Sequence, residues 1–129
     1  MDSNSNNSGS NFQNTRAKGD EAENMAVDYL LKKGYEIKKR NFHFGQMGEL
    51  DIIAEDKSVL VFIEVKSKRM DTQYDPFLNI TPKKQRTIRK IAESYLYVNK
   101  ITDRECRFDA ISVDYTKSPP EIIHLVNAM

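Results

Sequence analysis

Between Gly48 and Lys66 the chain reads as two apolar strands with charged residues set into them. The first run is Gly48-Glu49-Leu50-Asp51-Ile52-Ile53, and after Glu55-Asp56-Lys57-Ser58 the second is Val59-Leu60-Val61-Phe62-Ile63-Glu64-Val65-Lys66. Strand side chains alternate between faces, so Glu64 and Lys66 project from the same one. A tight turn through the polar tetrapeptide brings Asp51 alongside them. Charged groups on apolar strands are costly to bury unless they are paired or bound to a metal. Asp51, Glu64 and Lys66 are therefore the first candidates for a catalytic site.

The chain of 129 residues is long enough for one domain with a substantial core. Its apolar content of 39% and charged content of 30% are ordinary for a globular protein. No run approaches the roughly 18–20 apolar residues of a membrane span, so no membrane partner is expected. The N-terminus lacks the basic-then-apolar pattern of a secretory signal. Cys106 is the single cysteine, which rules out an internal disulfide and fits a cytoplasmic protein. Residues 1–15 are Ser, Asn, Gly and Gln with little else to bury, and read as a disordered polar tail before a single domain at 16–129.

Around the two strands the pattern places an α/β fold in the order α-β-β-β-α-β-β. Ala22, Met25, Ala26, Tyr29 and Leu30 recur at helical spacing, so the first helix is expected from about Ala17 to Lys33, stopped by Gly34. Tyr35 to Asn41 follows as a short strand and Phe42 to Met47 as a loop. The paired strands are expected at Glu49–Ala54 and Val59–Lys66, and Ser67 to Ile80 as a long loop. Thr81-Pro82 is a helix start, with Thr as N-cap and Pro at the first helical position. Ile88, Ile91, Ala92, Tyr95 and Leu96 give that helix an apolar face that ends near Asn99. Arg107–Tyr115 and Glu121–Val126 are the last strands.

Net charge is only +1, but the charges are segregated. Basic residues cluster at Lys32, Lys33, Lys38, Lys39 and Arg40; at Lys66, Lys68 and Arg69; and at Lys83, Lys84, Arg86, Arg89 and Lys90. Basic surface around an acidic centre suits a metal-dependent enzyme acting on a polyanion; a normally solvated mixed surface is the plainer alternative. The second helix sharpens the first reading. Lys83, Lys84 and Arg86 in its first turns oppose the helix dipole, at about 0.3–1 kcal/mol per charge. A bound phosphate relieves that penalty and uses the free N–H groups; simple solvation of the charges is the competing account.

Hard divalent cations take oxygen ligands, commonly one or two carboxylates with waters and substrate phosphate. Asp51 and Glu64 supply the carboxylates and the Val65 carbonyl a third oxygen for Mg²⁺ or Mn²⁺. Such an ion lowers the pKa of a bound water and neutralises charge on a scissile phosphate. Lys66 can orient the water or stabilise developing charge, or it can simply be salt-bridged to Asp51 or Glu64. Glu23 lies on or beside the apolar face of the first helix, with Ala26, Val27 and Leu30 three, four and seven residues on. Glu49, one pleat before Asp51, either joins a second metal or pairs with a basic neighbour. His43 and His124 are too isolated for a zinc site and read as surface or loop histidines, His43 with a second reading as a substrate contact. Cys106 reads as a small buried residue.

These residues resemble the PD-(D/E)xK nuclease superfamily. The chain is most similar to its YraN-like family, related to archaeal Holliday-junction resolvases. The matching pieces are Gly19-x-x-Ala22-Glu23-x-x-Ala26, Tyr29-Leu30, Gly34-Tyr35, Arg40-Asn41, Gly48-Glu49-Leu50-Asp51-Ile52-Ile53, Val61-Phe62-Ile63-Glu64-Val65-Lys66, the 81–96 helix and Arg107-Phe108-Asp109. They cover about residues 16–113. The resemblance implies a restriction-endonuclease-like core, a central mixed β-sheet flanked by helices. It implies metal-dependent hydrolysis of phosphodiester bonds in DNA, with branched or damaged DNA among the candidate substrates, as the ancestral activity. By position, Asp51 and Glu64 become metal ligands, Lys66 the catalytic lysine and Glu23 an accessory catalytic or metal-binding carboxylate. Gln85 falls near a polar position on the following helix. Ala22 replaces the Gly commoner before the Glu, and Ser67-Lys68-Arg69 displaces the usual Arg by one. DNA is the expected partner, with Lys68, Arg69, Lys83, Lys84, Gln85, Arg86 and Arg89 as nucleic-acid contacts. RNA stays open as a substrate, and a homodimer is compatible with this reading. The competing function is a nucleic-acid-binding module that keeps the fold and cuts nothing.

Overall fold

In the computed structural model, which describes residues 20–70 and 75–129, a five-stranded mixed sheet carries one helix on each face. The chain order is α-β-β-β-α-β-β. Helix α1 covers residues 20–32. Strands β1 (Glu36–His43), β2 (Glu49–Asp56) and β3 (Val59–Lys68) follow. Helix α2 (Pro82–Val98) then leads to β4 (Cys106–Asp114) and β5 (Glu121–Leu125). The strands lie side by side in sequence order. Every neighbouring pair is antiparallel except β3 and β4, which run parallel and are joined through α2. The expected tail at 1–15 and the expected first residues of α1 lie outside the described residues.

The helix ends are set by local chemistry. Gly34 adopts φ +92°, a left-handed conformation that costs glycine little. Its N–H bonds Leu31 O at 3.0 Å and the Tyr35 N–H bonds Leu30 O at 3.0 Å, so two end carbonyls of α1 are satisfied. At α2 the Thr81 side chain accepts from Lys84 N at 3.2 Å, Pro82 opens the first turn and Asn99 closes the last. A short 3-10 turn, Pro76–Asn79, precedes it within the segment expected to be a plain loop. Among the described residues no helix is long and apolar enough to cross a membrane.

Two cores sandwich the sheet. Ala22, Ala26 and Leu30 of α1 pack on Ile52, Ala54, Val61, Ile63, Ile111 and Val113. Ile88, Ile91, Ala92 and Tyr95 of α2 pack on Leu50, Ile53, Leu60, Phe62 and Ala110. Strand β3 is covered on both faces, which is why it reads as a continuous apolar run. Some strands run further than the hydrophobic pattern indicates. β1 continues through Phe42 and His43, which pair with Leu50 and Glu49, and β3 continues to Lys68, which pairs with Asp114. Polar residues can extend a strand when neighbouring backbones still supply hydrogen bonds.

Candidate active site

The β2–β3 ladder stops at Ile52↔Ile63. Beyond it β2 stays with β1, through Phe42↔Leu50 and His43↔Glu49, while β3 stays with β4 as far as Lys68↔Asp114. The sheet opens between them, and Asp51 and Glu64 face each other across the first residues of the gap. In place of a strand acceptor, Asp51 Oδ2 accepts the Val65 N–H at 2.7 Å. The side-chain alternation also breaks here. Ile52 belongs to the α1 core, yet Leu50, two residues earlier, packs in the α2 core. Asn41, on β1 opposite this break, sits at φ 53°, a left-handed conformation that Asn tolerates better than most residues. Gly48, at φ +132°, lets the chain enter β2 close to Thr87 and Ile91 of α2.

Glu64 is buried, its side chain 3% exposed. Its Oε2 lies 4.0 Å from Lys66 Nζ and 3.7 Å from Lys84 Nζ on the first turn of α2. Its Oε1 is buried with no hydrogen-bond partner among the described residues. A buried orphan acceptor costs about 1–3 kcal/mol and calls for an occupant. Burial pushes the Glu64 carboxyl up, against the pull of Lys84, Lys66 and hydrogen bonds to Asp51. Asp51 is pushed up to about 8, first by burial and then by the Glu64 charge, with the Val65 N–H opposing. Two carboxyls that resist ionising side by side would be relieved by a cation between them. The donor set of two carboxylates, one with a vacant buried oxygen, fits Mg²⁺ or Mn²⁺ completed by water and phosphate.

Glu23 is buried at the edge of this site, and its charge contributes to raising Asp51. Both of its oxygens are engaged: Oε1 accepts from Arg40 Nε at 3.2 Å and Nη2 at 3.0 Å, and Oε2 from Asn41 Nδ2 at 2.9 Å. Ligation by Glu23 therefore requires one of these partners to yield. Among the described residues no group of three His, Cys, Asp or Glu side chains is arranged to hold a metal. Glu49 is exposed, opposite an exposed His43.

The basic residues divide by environment. Lys83 and Arg86 are exposed on the first turns of α2. Lys84 faces Glu64, so it belongs to the acidic centre as much as to the outer surface. Gln85 donates to Ile80 O at 3.1 Å, and Arg89 stacks 4.6 Å over Phe108. Arg69 pairs with Glu21 at 3.1 Å and stacks 3.9 Å over Tyr115, tying the end of β3 to α1. Lys68 stands beside Asp114 in the ladder.

His124 corrects the expectation of a surface histidine, since its side chain is 5% exposed. The alternation of β5 turns Ile122 and His124 inward, where His124 Nε2 meets Asp109 Oδ2 at 2.8 Å and Nδ1 meets the Tyr29 hydroxyl at 3.1 Å. Asp109 is fully buried and also accepts from Arg107 Nε at 3.0 Å and from the Asn127 N–H at 3.0 Å. Burial alone would raise Asp109, but the His124 and Arg107 bonds outweigh it and hold the carboxyl below its usual range. The network fastens β4 and β5 to α1. Cys106 is half-buried rather than buried, its Sγ donating to Arg104 O at 3.5 Å. No local period announces these contacts; Arg107-Phe108-Asp109 is the only sequence hint.

A family model for "Uncharacterised protein family UPF0102" matches residues 22–113. The chain is 37% identical over 112 residues to a UPF0102 protein of Acetivibrio thermocellus, covering 87% of this chain and 86% of that one. It is 39% identical over 110 residues to one of Geobacter metallireducens, covering 85% and 89%. It is 42% identical over 111 residues to one of Persephonella marina, covering 86% and 91%. The matched span holds α1 from Ala22 onward, all of the acidic centre and α2, and the chain belongs to the UPF0102, or YraN-like, family.

Proposed function

We propose that this protein is a metal-dependent endonuclease that hydrolyses phosphodiester bonds in DNA, acting in the cytoplasm. The observation that carries the reading is the Asp51–Glu64 pair, a half-buried and a buried carboxyl that resist ionising, with an orphan oxygen left on Glu64. Asp51 and Glu64 would hold the ion, with Val65 and Glu23 as the further candidate ligands. A bound Mg²⁺ or Mn²⁺ supplies Lewis acidity and an acidified water at neutral pH. Lys66, its side chain 25% exposed beside Glu64, can reach a phosphate oxygen and offset charge that develops there. Lys84 receives a neighbouring phosphate, and Lys83 and Arg86 extend the same strip outward. Glu23 holds Arg40 and Asn41 of β1 beside the opening between β2 and β3.

The test is direct. The purified chain, incubated with Mn²⁺ and linear, nicked, single-stranded and four-way DNA, is expected to cut at least one, and EDTA is expected to stop it. Calorimetry should show Mn²⁺ uptake without nucleic acid. A second reading, a binding module that cuts nothing, draws on the two lysines that already partner Glu64. Nucleic-acid binding with neither Mn²⁺ uptake nor cleavage of DNA or RNA would point to it.

The outer strip has its own expected result. Replacing Lys83 and Arg86 together by Glu should weaken DNA binding on all sequences alike, because phosphate contacts carry no base information. The log–log slope of affinity against salt should flatten by roughly two charges. Lys84 is the poorer choice for this experiment, since Glu at that position sets a like charge against Glu64. Unchanged affinity in the double variant would exclude this face of α2.

A further inference from the structure

Past Lys66, on the α2 side of the sheet, the helix no longer covers the strands. The ladder there pairs Lys66 with Ser112 and Lys68 with Asp114, and β5 adds Ile123 beside Ser112. The 3-10 turn Pro76–Asn79 roofs this stretch with Phe77. Between roof and floor lies a cavity of about 330 Å³, lined by Lys68, Ser112, Asp114 and Ile123 and by Asp75, Pro76 and Phe77 of the roof. Its size is at the lower end of small-ligand pockets, which start at roughly 300 Å³. Its chemistry is divided. Phe77 and Ile123 provide apolar wall, while Ser112, 2% exposed, and Asp114, 7% exposed, provide polar groups on the floor. Asp114 receives the Thr116 N–H and hydroxyl on Oδ1, which leaves Oδ2 to accept from an occupant.

We infer that this cavity receives a single unstacked nucleobase from the strand being cut, so that the substrate class is DNA with a nucleotide free to leave the stack. The inference rests on the nuclease reading above. Its geometry follows from the ladder: two residues along a strand advance about 6–7 Å, so Lys68 and Asp114 stand one nucleotide's reach beyond Lys66 and Ser112. A phosphate held by Lys66 therefore delivers its neighbouring base to the cavity mouth. An aromatic and an apolar wall sandwich the base faces, and polar groups read its edge, which is how enzymes hold bases taken out of a duplex. A carboxylate oxygen accepts from an exocyclic amino group, so cytosine, adenine and guanine suit the floor, whereas thymine offers only its ring N3–H. Unpairing is cheapest where pairing is already broken, which directs the enzyme to branch points, mismatches and single-stranded tails.

The probe is a duplex with a single-stranded tail and one 2-aminopurine at the junction, mixed with the full chain in EDTA so that nothing is cut. The emission of this base rises when it leaves the stack. A several-fold rise is expected with the wild-type chain. Ile123→Trp, which fills the cavity, should abolish the rise while affinity for the same DNA changes less than about threefold, since Lys83 and Arg86 supply the sequence-independent phosphate contacts. Should Ile123→Trp melt early, Asp114→Asn adds no bulk. It is expected to erase a roughly tenfold preference for cytosine over thymine at the junction. Emission that stays flat in the wild type, or rises equally in Ile123→Trp, overturns the proposal. DNA cleavage with Mn²⁺ but no emission change removes the pocket and leaves the nuclease standing. A chain that neither binds nor cuts any nucleic acid defeats the nuclease reading, and the pocket with it.

Discussion

Asp51→Asn and Glu64→Gln are each expected to lower Mn²⁺-dependent cleavage by on the order of a thousandfold or more, because each removes a negative charge that holds the cation. DNA affinity should persist or improve in both, since the lost carboxylate also repels phosphate. Lys66→Ala should fall comparably in cleavage, through loss of the cation beside the phosphate. It should differ in metal uptake: Mn²⁺ affinity is expected to hold or rise, because an ammonium 4.0 Å from Glu64 competes with the metal. Calorimetry separates the two classes. Uniform loss of Mn²⁺ binding in all three variants would mean that Lys66 holds the site together and contributes nothing of its own to the reaction.

The metal-free protein should lose stability as pH rises from about 5 to 8.5, the reverse of what paired carboxylates usually do. Asp51 and Glu64 are both raised above their ordinary values, Asp51 to about 8. Over that interval the folded chain holds protons that the unfolded chain has released. Stability is therefore fully present at low pH and declines as the folded pair ionises. The expected loss is on the order of 2–4 kcal/mol, or roughly 10 °C in melting temperature. Asp109, held below its usual range, acts the other way, but its contribution is already complete above pH ~4 and fades only below that. Saturating Mn²⁺ should flatten the profile, because the cation replaces the proton. Asp51→Asn should flatten it without metal and raise the melting temperature at pH 8.5 in EDTA, since Asn still accepts the Val65 N–H. Melting in EDTA that rises or stays level across the interval would contradict the raised pair.

What the sequence disclosed was what lies close together along it. The Gly48–Lys66 strand pair, the Thr81-Pro82 helix start and the apolar faces of both helices are local patterns, and each led to the element observed. Facing positions for Asp51 and Glu64 followed from a short turn and simple alternation. The features that shape the site have no such signature. The break in alternation at Asp51 and the left-handed Asn41 arise from how three strands share backbone partners. Glu23 finds Arg40 and Asn41 at separations of 17 and 18 residues, and His124 finds Asp109 at 15. A lone histidine and a helical glutamate gave no hint of these partners, because burial of a polar residue is decided by which donor arrives from another element.

The end of the β2–β3 ladder makes the sheet a pair of levers. Five register pairs, Ile52–Asp56 against Val59–Ile63, form the fulcrum, and the Asp51 Oδ2 to Val65 N–H bond is the catch that limits how far the arms spread. One carboxylate thus serves as a mechanical part through Oδ2 and leaves Oδ1 for the proposed metal. An alanine at position 51 would remove ligand and latch at once, so its inactivity could not be assigned to either. Asparagine keeps the latch and discards the charge. The same gearing lets a force at the edge of the site, at the Arg40–Glu23 contact between β1 and α1, alter the spacing of the carboxylates while both cores stay packed.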